Sequence, residues 1–185
     1  MKKTLKVVAI VLAVVTILSG CSFARSDDND RFDVGEEIGE VIDFDTSRGA
    51  NSPEKVITNY LSACKDRDAK AAMACAGIVW NDSLFDESWS ALDAFEGYNL
   101  WASNIRYEED PDPNFDSDAA IRAWFEQAAN RGLELEYTYE DIMSYGVVSF
   151  EITVSGDGET ETMEAALDVI ETSKGWFLIS IDTAR

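Results

Sequence analysis

The hydrophobic period of this chain changes once, near Gly132. Before it, apolar residues recur at helical spacing in separate stretches; after it, they alternate one for one with polar residues. A period of 3.6 turns one stripe of a helix toward a core, and a period of two turns one face of a pleated strand. Strands joined by short turns form an antiparallel meander whose apolar face needs cover, and the preceding helices can supply it. The pattern therefore reads as α+β, and 46% apolar residues are enough for a packed core.

The helix signals are specific. In Asn51-Ser52-Pro53-Glu54, Ser52 can cap, Pro53 sits where its missing N–H costs nothing, and Glu54 meets the positive dipole end. Val56, Ile57, Tyr60, Leu61 and Cys64 then share one face. Asp68 can cap a second helix, Ala69 to Ala76, with Gly77 as its stop. A third helix runs from Asp116 or Ser117 to Arg131, with Ile121, Trp124, Phe125 and Ala128 on one face, and Gly132 ends it. Residues 78–116 are dense in aromatics, and a helix from about Glu87 to Asn104 fits in part, weakened by Gly97. Glu108 to Pro113 is a loop, because each proline restricts the residue before it.

Four strands are expected beyond Gly132. Leu133, Leu135, Tyr137 and Tyr139 alternate with polar residues, as do Val148, Phe150, Ile152 and Val154. Ser155 to Gly158 is a hairpin turn; Met163, Ala165, Leu167 and Val169 follow, then a turn at Ser173 to Gly175 and a last strand, Trp176 to Ile181.

The N-terminus reads as an address. Lys2, Lys3 and Lys6 precede Val7 to Leu18, 12 residues that are apolar except for Thr16. That is the length of a signal-peptide core; a spanning helix needs about 20 residues. Leu18-Ser19-Gly20-Cys21 follows and resembles a bacterial lipobox. The resemblance implies that the Cys21 thiol takes a diacylglycerol and that Cys21 becomes the first mature residue, anchored at the extracytoplasmic face of the cell membrane. The domain expectation is thus a signal peptide over 1–20, a lipidated Cys21 with an acidic tether over 21–51, and one α+β domain over 52–185. Residues 22–51 hold nine acidic and three basic residues, and a flexible chain of that length spans about 30 Å. Ile38, Val41, Ile42 and Phe44 are the exception, able to dock on the domain as a short strand or turn.

Charge excludes several functions. The chain carries 15 Lys+Arg against 36 Asp+Glu, a net of −21; removing the leader gives −24. Such a chain is no partner for nucleic acid, which needs clustered Lys and Arg. With no histidine, Ser-His-Asp triads, Cys-His dyads and His-ligated metals are out of reach.

The order of elements, from the Ser52-Pro53-Glu54 helix start to the closing Gly175-Trp176-Phe177-Leu178-Ile179, resembles the nuclear-transport-factor-two-like (cystatin-like) cone fold, and more narrowly the bacterial lipoproteins built on it. The matching stretches are Ser52 to Gly77 and Leu133 to Asp182. The resemblance implies helices packed on a curved antiparallel sheet in a cone-shaped roll. The superfamily includes isomerases, cyclases, dehydratases and non-catalytic binding or accessory domains, so fold alone leaves function open.

Candidate chemistry is sparse. Cys64 and Cys75, ten residues apart, can form a disulfide in an exported chain, but strictly antiparallel helices would leave an axial mismatch of about 7 Å, and two small buried thiols is the simpler reading. Tyr60, Trp80, Trp89, Trp101 and Trp124 can line a pocket or fill the core. A carboxylate such as Asp141 or Asp168 beside Tyr60 would make an isomerase-like site; otherwise these are a core tyrosine and surface acids. The alternating acids of Asp110 to Asp118 lack the glycine and glutamate of an EF-hand and read as a capping loop. No metal or cofactor is expected. Eleven acidic residues and no Lys or Arg lie between Arg131 and Lys174, which either dock a basic partner or keep an exposed sheet soluble. The expectation is a tethered, non-catalytic module that engages a small molecule, wall component or protein.

Overall fold

Ser52, in extended backbone, accepts the Lys55 amide on its side chain and starts helix α1 (Pro53–Asp66) with proline in the first turn. These residues come from a computed structural model, which describes residues 49–83, 90–110, 112, 115–156 and 158–179. Asp68 caps α2 (Ala69–Cys75) by accepting the Ala71 amide at 2.9 Å, and Gly77 follows at φ +66°. Asp116 caps α3 (Ser117–Asn130) through the Ala119 amide at 2.9 Å, and Gly132 lies beyond it at φ +68°. The stripes are as spaced in sequence: Val56, Ile57, Tyr60, Leu61 and Cys64 are buried on α1, and Ile121, Trp124 and Ala128 on α3.

Four strands form one open antiparallel sheet in chain order: β1 (Asn99–Glu109), β2 (Ile142–Gly156), β3 (Glu159–Thr172) and β4 (Gly175–Ile179). Gly156 pairs with Glu159 across the β2–β3 turn, where Gly158 takes φ +78°; Thr172 pairs with Gly175 across the β3–β4 turn. The described residues are thus α+β, with three α-helices and a four-stranded antiparallel sheet.

Two expected elements are corrected. Leu133 to Tyr139 is not a strand of the sheet. The segment lies beside residues 77–79 through an isolated Ile78–Leu135 bridge and two flanking backbone bonds, and it ends in a 3-10 turn over Tyr139–Asp141. Its alternation records one side resting on the core, where Tyr137 is buried, not membership of a ladder. The fourth strand is instead β1, much of which falls in the stretch read as a partial helix. A 3-10 helix covers Ser90–Phe95, and Gly97, at φ +77°, turns the chain into β1. Trp101, Ile105 and Tyr107 are residue types that suit a pleated surface.

The sheet is covered unevenly. Register places Val148, Leu167, Val169 and Leu178 on one face and Tyr145, Val147, Ile170, Phe177 and Ile179 on the other, and all nine are buried. Because neighbouring residues point to opposite faces, the β4 end is a two-sided core, not a sheet with helices on one face only. Phe177 meets the Tyr137 ring at 4.9 Å, and Tyr145 stacks on Phe115 at 5.7 Å. Toward the β2–β3 hairpin, Ser149, Thr162, Glu164 and Ala166 of the second face are exposed. The outer edge of β4 takes a further partner: Ala50 bridges Trp176, and Gly49 donates to the Lys174 carbonyl. A Cβ on Gly49 or Gly175 would fall 2.7 Å from the opposite backbone, so glycine is required on both sides.

Candidate functional site

Among the described residues, the interior below α1 and α2 carries fully buried side chains. Tyr60 is wholly buried, with its hydroxyl hydrogen-bonded to the Cys64 thiol. Burial first, and then Cys64 and Cys75 beside it, push Tyr60 well above the usual phenol range. Cys64 and Cys75 are free buried thiols; burial pushes Cys64 up to about 12 and raises Cys75 as well, so both are protonated and poorly nucleophilic. Trp124, also fully buried, donates from Nε1 to the Tyr137 hydroxyl at 3.1 Å, and that hydroxyl donates to the Ala76 carbonyl at 3.2 Å. This relay ties α3 and the 133–138 segment to the end of α2, and burial raises the Tyr137 pKa.

The five aromatics singled out in sequence do not line one described hollow. Tyr60 and Trp124 are core. Trp80 is half-buried and donates Nε1 to Asp82 at 2.5 Å. Trp101 is 46% exposed on the sheet's second face, and Trp89 lies outside the described residues. Cys21 lies outside them too, as do Ile38, Val41, Ile42 and Phe44. Asp141 closes a capping box with Thr138, whose backbone and hydroxyl bonds hold its carboxyl below the usual range. Asp168 accepts the Tyr145 hydroxyl at 2.6 Å.

A hollow of about 470 Å³ does open, on the second face of the sheet. Asn104, Arg106, Ser149, Glu151, Glu164 and Ala166 are among its lining residues. Register builds it in rows. Ser103 pairs with Glu151, which pairs with Glu164, and Arg106 pairs with Ser149, which pairs with Ala166; beside them runs the row in which Trp101 pairs with Thr153 and Thr153 with Thr162. A bulge between Ser103 and Arg106 interrupts β1, and Asn104 there takes φ +53°. Its amide donates to Glu151 Oε2 at 2.8 Å, joined by the Ser103 hydroxyl at 3.3 Å. Beside the hollow, one row toward the hairpin, Thr153 and Thr162 share a hydroxyl bond of 2.9 Å. Small side chains at Ser149 and Ala166 leave the space; Glu151, Glu164 and Arg106 supply the charge.

Sequence reasoning missed Asn104, Arg106, Glu151 and Glu164 as a group. The polar half of the β2 and β3 alternation carried the two glutamates, but their opposition depends on register, and the bulge left no sequence mark beyond the asparagine.

Among the described residues no three His, Cys, Asp or Glu side chains are grouped as a metal site, and no helix is long and apolar enough to cross a membrane. No family model matches the chain, and no curated protein or solved structure is detectably similar to it.

Proposed function

We propose that this chain is a membrane-tethered lipoprotein, anchored through Cys21, whose cone-type α+β domain is a non-catalytic interaction module that works through its outer surface. One observation carries the choice of surface: among the described residues, Tyr60, Trp124 and Phe177, which would face a ligand in a hollow cone, are each 0% exposed, while a hollow with charged lining lies outside on the sheet. An isomerase or cyclase reading needs Tyr60 to touch a ligand beside a carboxylate, and a fully buried Tyr60 bonded to Cys64 speaks against it. The anchor rests on the basic leader, the short apolar run and the Leu18-Ser19-Gly20-Cys21 sequence. Two acyl chains hold a protein on a bilayer stably where one does not, and a body of net −24 stays clear of anionic headgroups.

The test is fractionation of the Cys21→Ser variant in the native host. Release from the membrane, or accumulation of the uncleaved precursor, supports the anchor. Unchanged mature size and membrane fractionation refute it. Tyr60→Phe is expected to leave intact any phenotype that deletion of the protein abolishes, and its loss in a folded variant would restore the enzyme reading.

A further inference from the structure

We propose that the second face of the β1–β3 sheet docks a lysine- or arginine-bearing segment of a protein partner, with the cationic side chain over the Glu151–Glu164 pair and its stem against the Trp101 indole. The inference rests on the outer-surface reading above and names the partner's chemistry.

Charge complementarity is the first support. Glu151 and Glu164 stand directly opposite each other on β2 and β3. Like charges so placed repel, and a cation seated between them removes that cost. Among the described residues nothing cationic does so: Arg106 is one row away and forms no ion pair with them. Glu151 is already oriented by Asn104 and Ser103, so one of the two acceptors is fixed before anything binds. The wider field agrees, with eleven acidic residues and no Lys or Arg between Arg131 and Lys174.

The second support is Trp101. It sits on the same face, one row from the glutamates, 46% exposed, and only Trp101 and Met143 are exposed large hydrophobics among the described residues. An indole face beside a carboxylate pair suits the apolar stem and charged head of a lysine or arginine together. Thr153, Thr162, Ser149 and Ala166 flank the glutamates on the same face with shorter side chains, so an extended segment can lie along them. Arg106 closes the opposite end and repels a cation there, which gives the site a polarity that can be tested by sign.

The experiment titrates the full native chain, kept in detergent, with a short fluorescent lysine-rich peptide and follows anisotropy at low salt. The Glu151→Gln/Glu164→Gln double variant is expected to bind about tenfold more weakly, since two contacts to partly exposed carboxylates are lost. Trp101→Ala is expected to weaken binding about threefold. Arg106→Gln should tighten it about twofold, while Glu126→Gln on the exposed face of α3 should change it far less than the double variant. All five positions are exposed or half-buried, and unchanged circular dichroism certifies the fold. A double variant no weaker than Glu126→Gln shows attraction by the overall field and overturns the site. Weakening by Arg106→Gln shows that the peptide does not lie with its cation beside Arg106 as proposed, and overturns the placement too. Displacement by spermidine with the same variant dependence and higher affinity marks a polyamine site instead of a protein segment. A concentration-dependent dimer abolished by Trp101→Ala marks a second copy as the occupant. None of these failures touches the Cys21 anchor, which the fractionation of Cys21→Ser decides separately.

Discussion

The two ends of the sheet follow opposite rules. At the β4 end, Val169 and Ile170, then Phe177, Leu178 and Ile179, are buried in succession, so both faces carry core. At the hairpin end only one face does, and the other shows Ser149, Glu164 and Ala166 to solvent beside Trp101. Burial on both faces fixes register strongly and makes each residue costly to change; a polar face leaves side chains free to meet something else. Stability should therefore concentrate at one end and tolerance at the other.

Trp124→Ala at the β4 end tests the strong half of that contrast. It is expected to cost about 3–5 kcal/mol in urea unfolding, since it empties a fully buried site and strips the Tyr137 hydroxyl of its donor. A loss below about 1 kcal/mol would dissolve the contrast. The buried thiols give a pH version. Burial pushes Cys64 up to about 12, above the value near 8.5 of an unfolded cysteine. Its contribution is fully present below about pH 8.5 and is lost as pH climbs toward about 12, because the unfolded chain then releases the proton more readily. Urea midpoints should fall above pH 9, with a shallower fall in Cys64→Ala; equal slopes would show that other groups carry the effect.

Two smaller effects follow. Gly175→Ala places a Cβ 2.7 Å from the Ala50 carbonyl at φ +122°, and is expected to cost about 1–3 kcal/mol by the same assay. Tyr137→Phe leaves the Trp124 Nε1 without its acceptor and the Ala76 carbonyl without that donor, with an expected loss of about 1–2 kcal/mol. At the hairpin end Glu164→Gln is expected to stay within about 0.5 kcal/mol of the parent, or gain slightly by relieving its opposition to Glu151. A large loss there would make the exposed face structural and sharpen the search for what it supports.

What was legible in the sequence is what local chemistry decides. Ser52, Asp68 and Asp116 cap where their side chains and following residues require, and the Gly156–Gly158 and Ser173–Lys174 turns fall where polar and glycine residues interrupt alternation. What was not legible depends on partners distant in the chain. Leu133 to Tyr139 has a strand's alternation, yet only Leu135 finds a bridge partner, at Ile78. Trp101 falls within the stretch read as a partial helix, and its pairing with Thr153 makes it strand. The same limit hid the hollow. Glu151 and Glu164 are thirteen positions apart, and only the register of a fifteen-residue strand against a fourteen-residue one sets them face to face.

The pairing of residues 49 and 50 with β4 also has a mechanical side. Among the described residues, a load that comes from the N-terminal direction meets three backbone hydrogen bonds, those between Gly49 and Lys174 and between Ala50 and Trp176, before it reaches the first turn of α1. Those bonds join the incoming chain to the strand that is buried on both faces. Pull from that side is thus shared with a strand packed on both faces, at the end of the sheet away from the hairpin face.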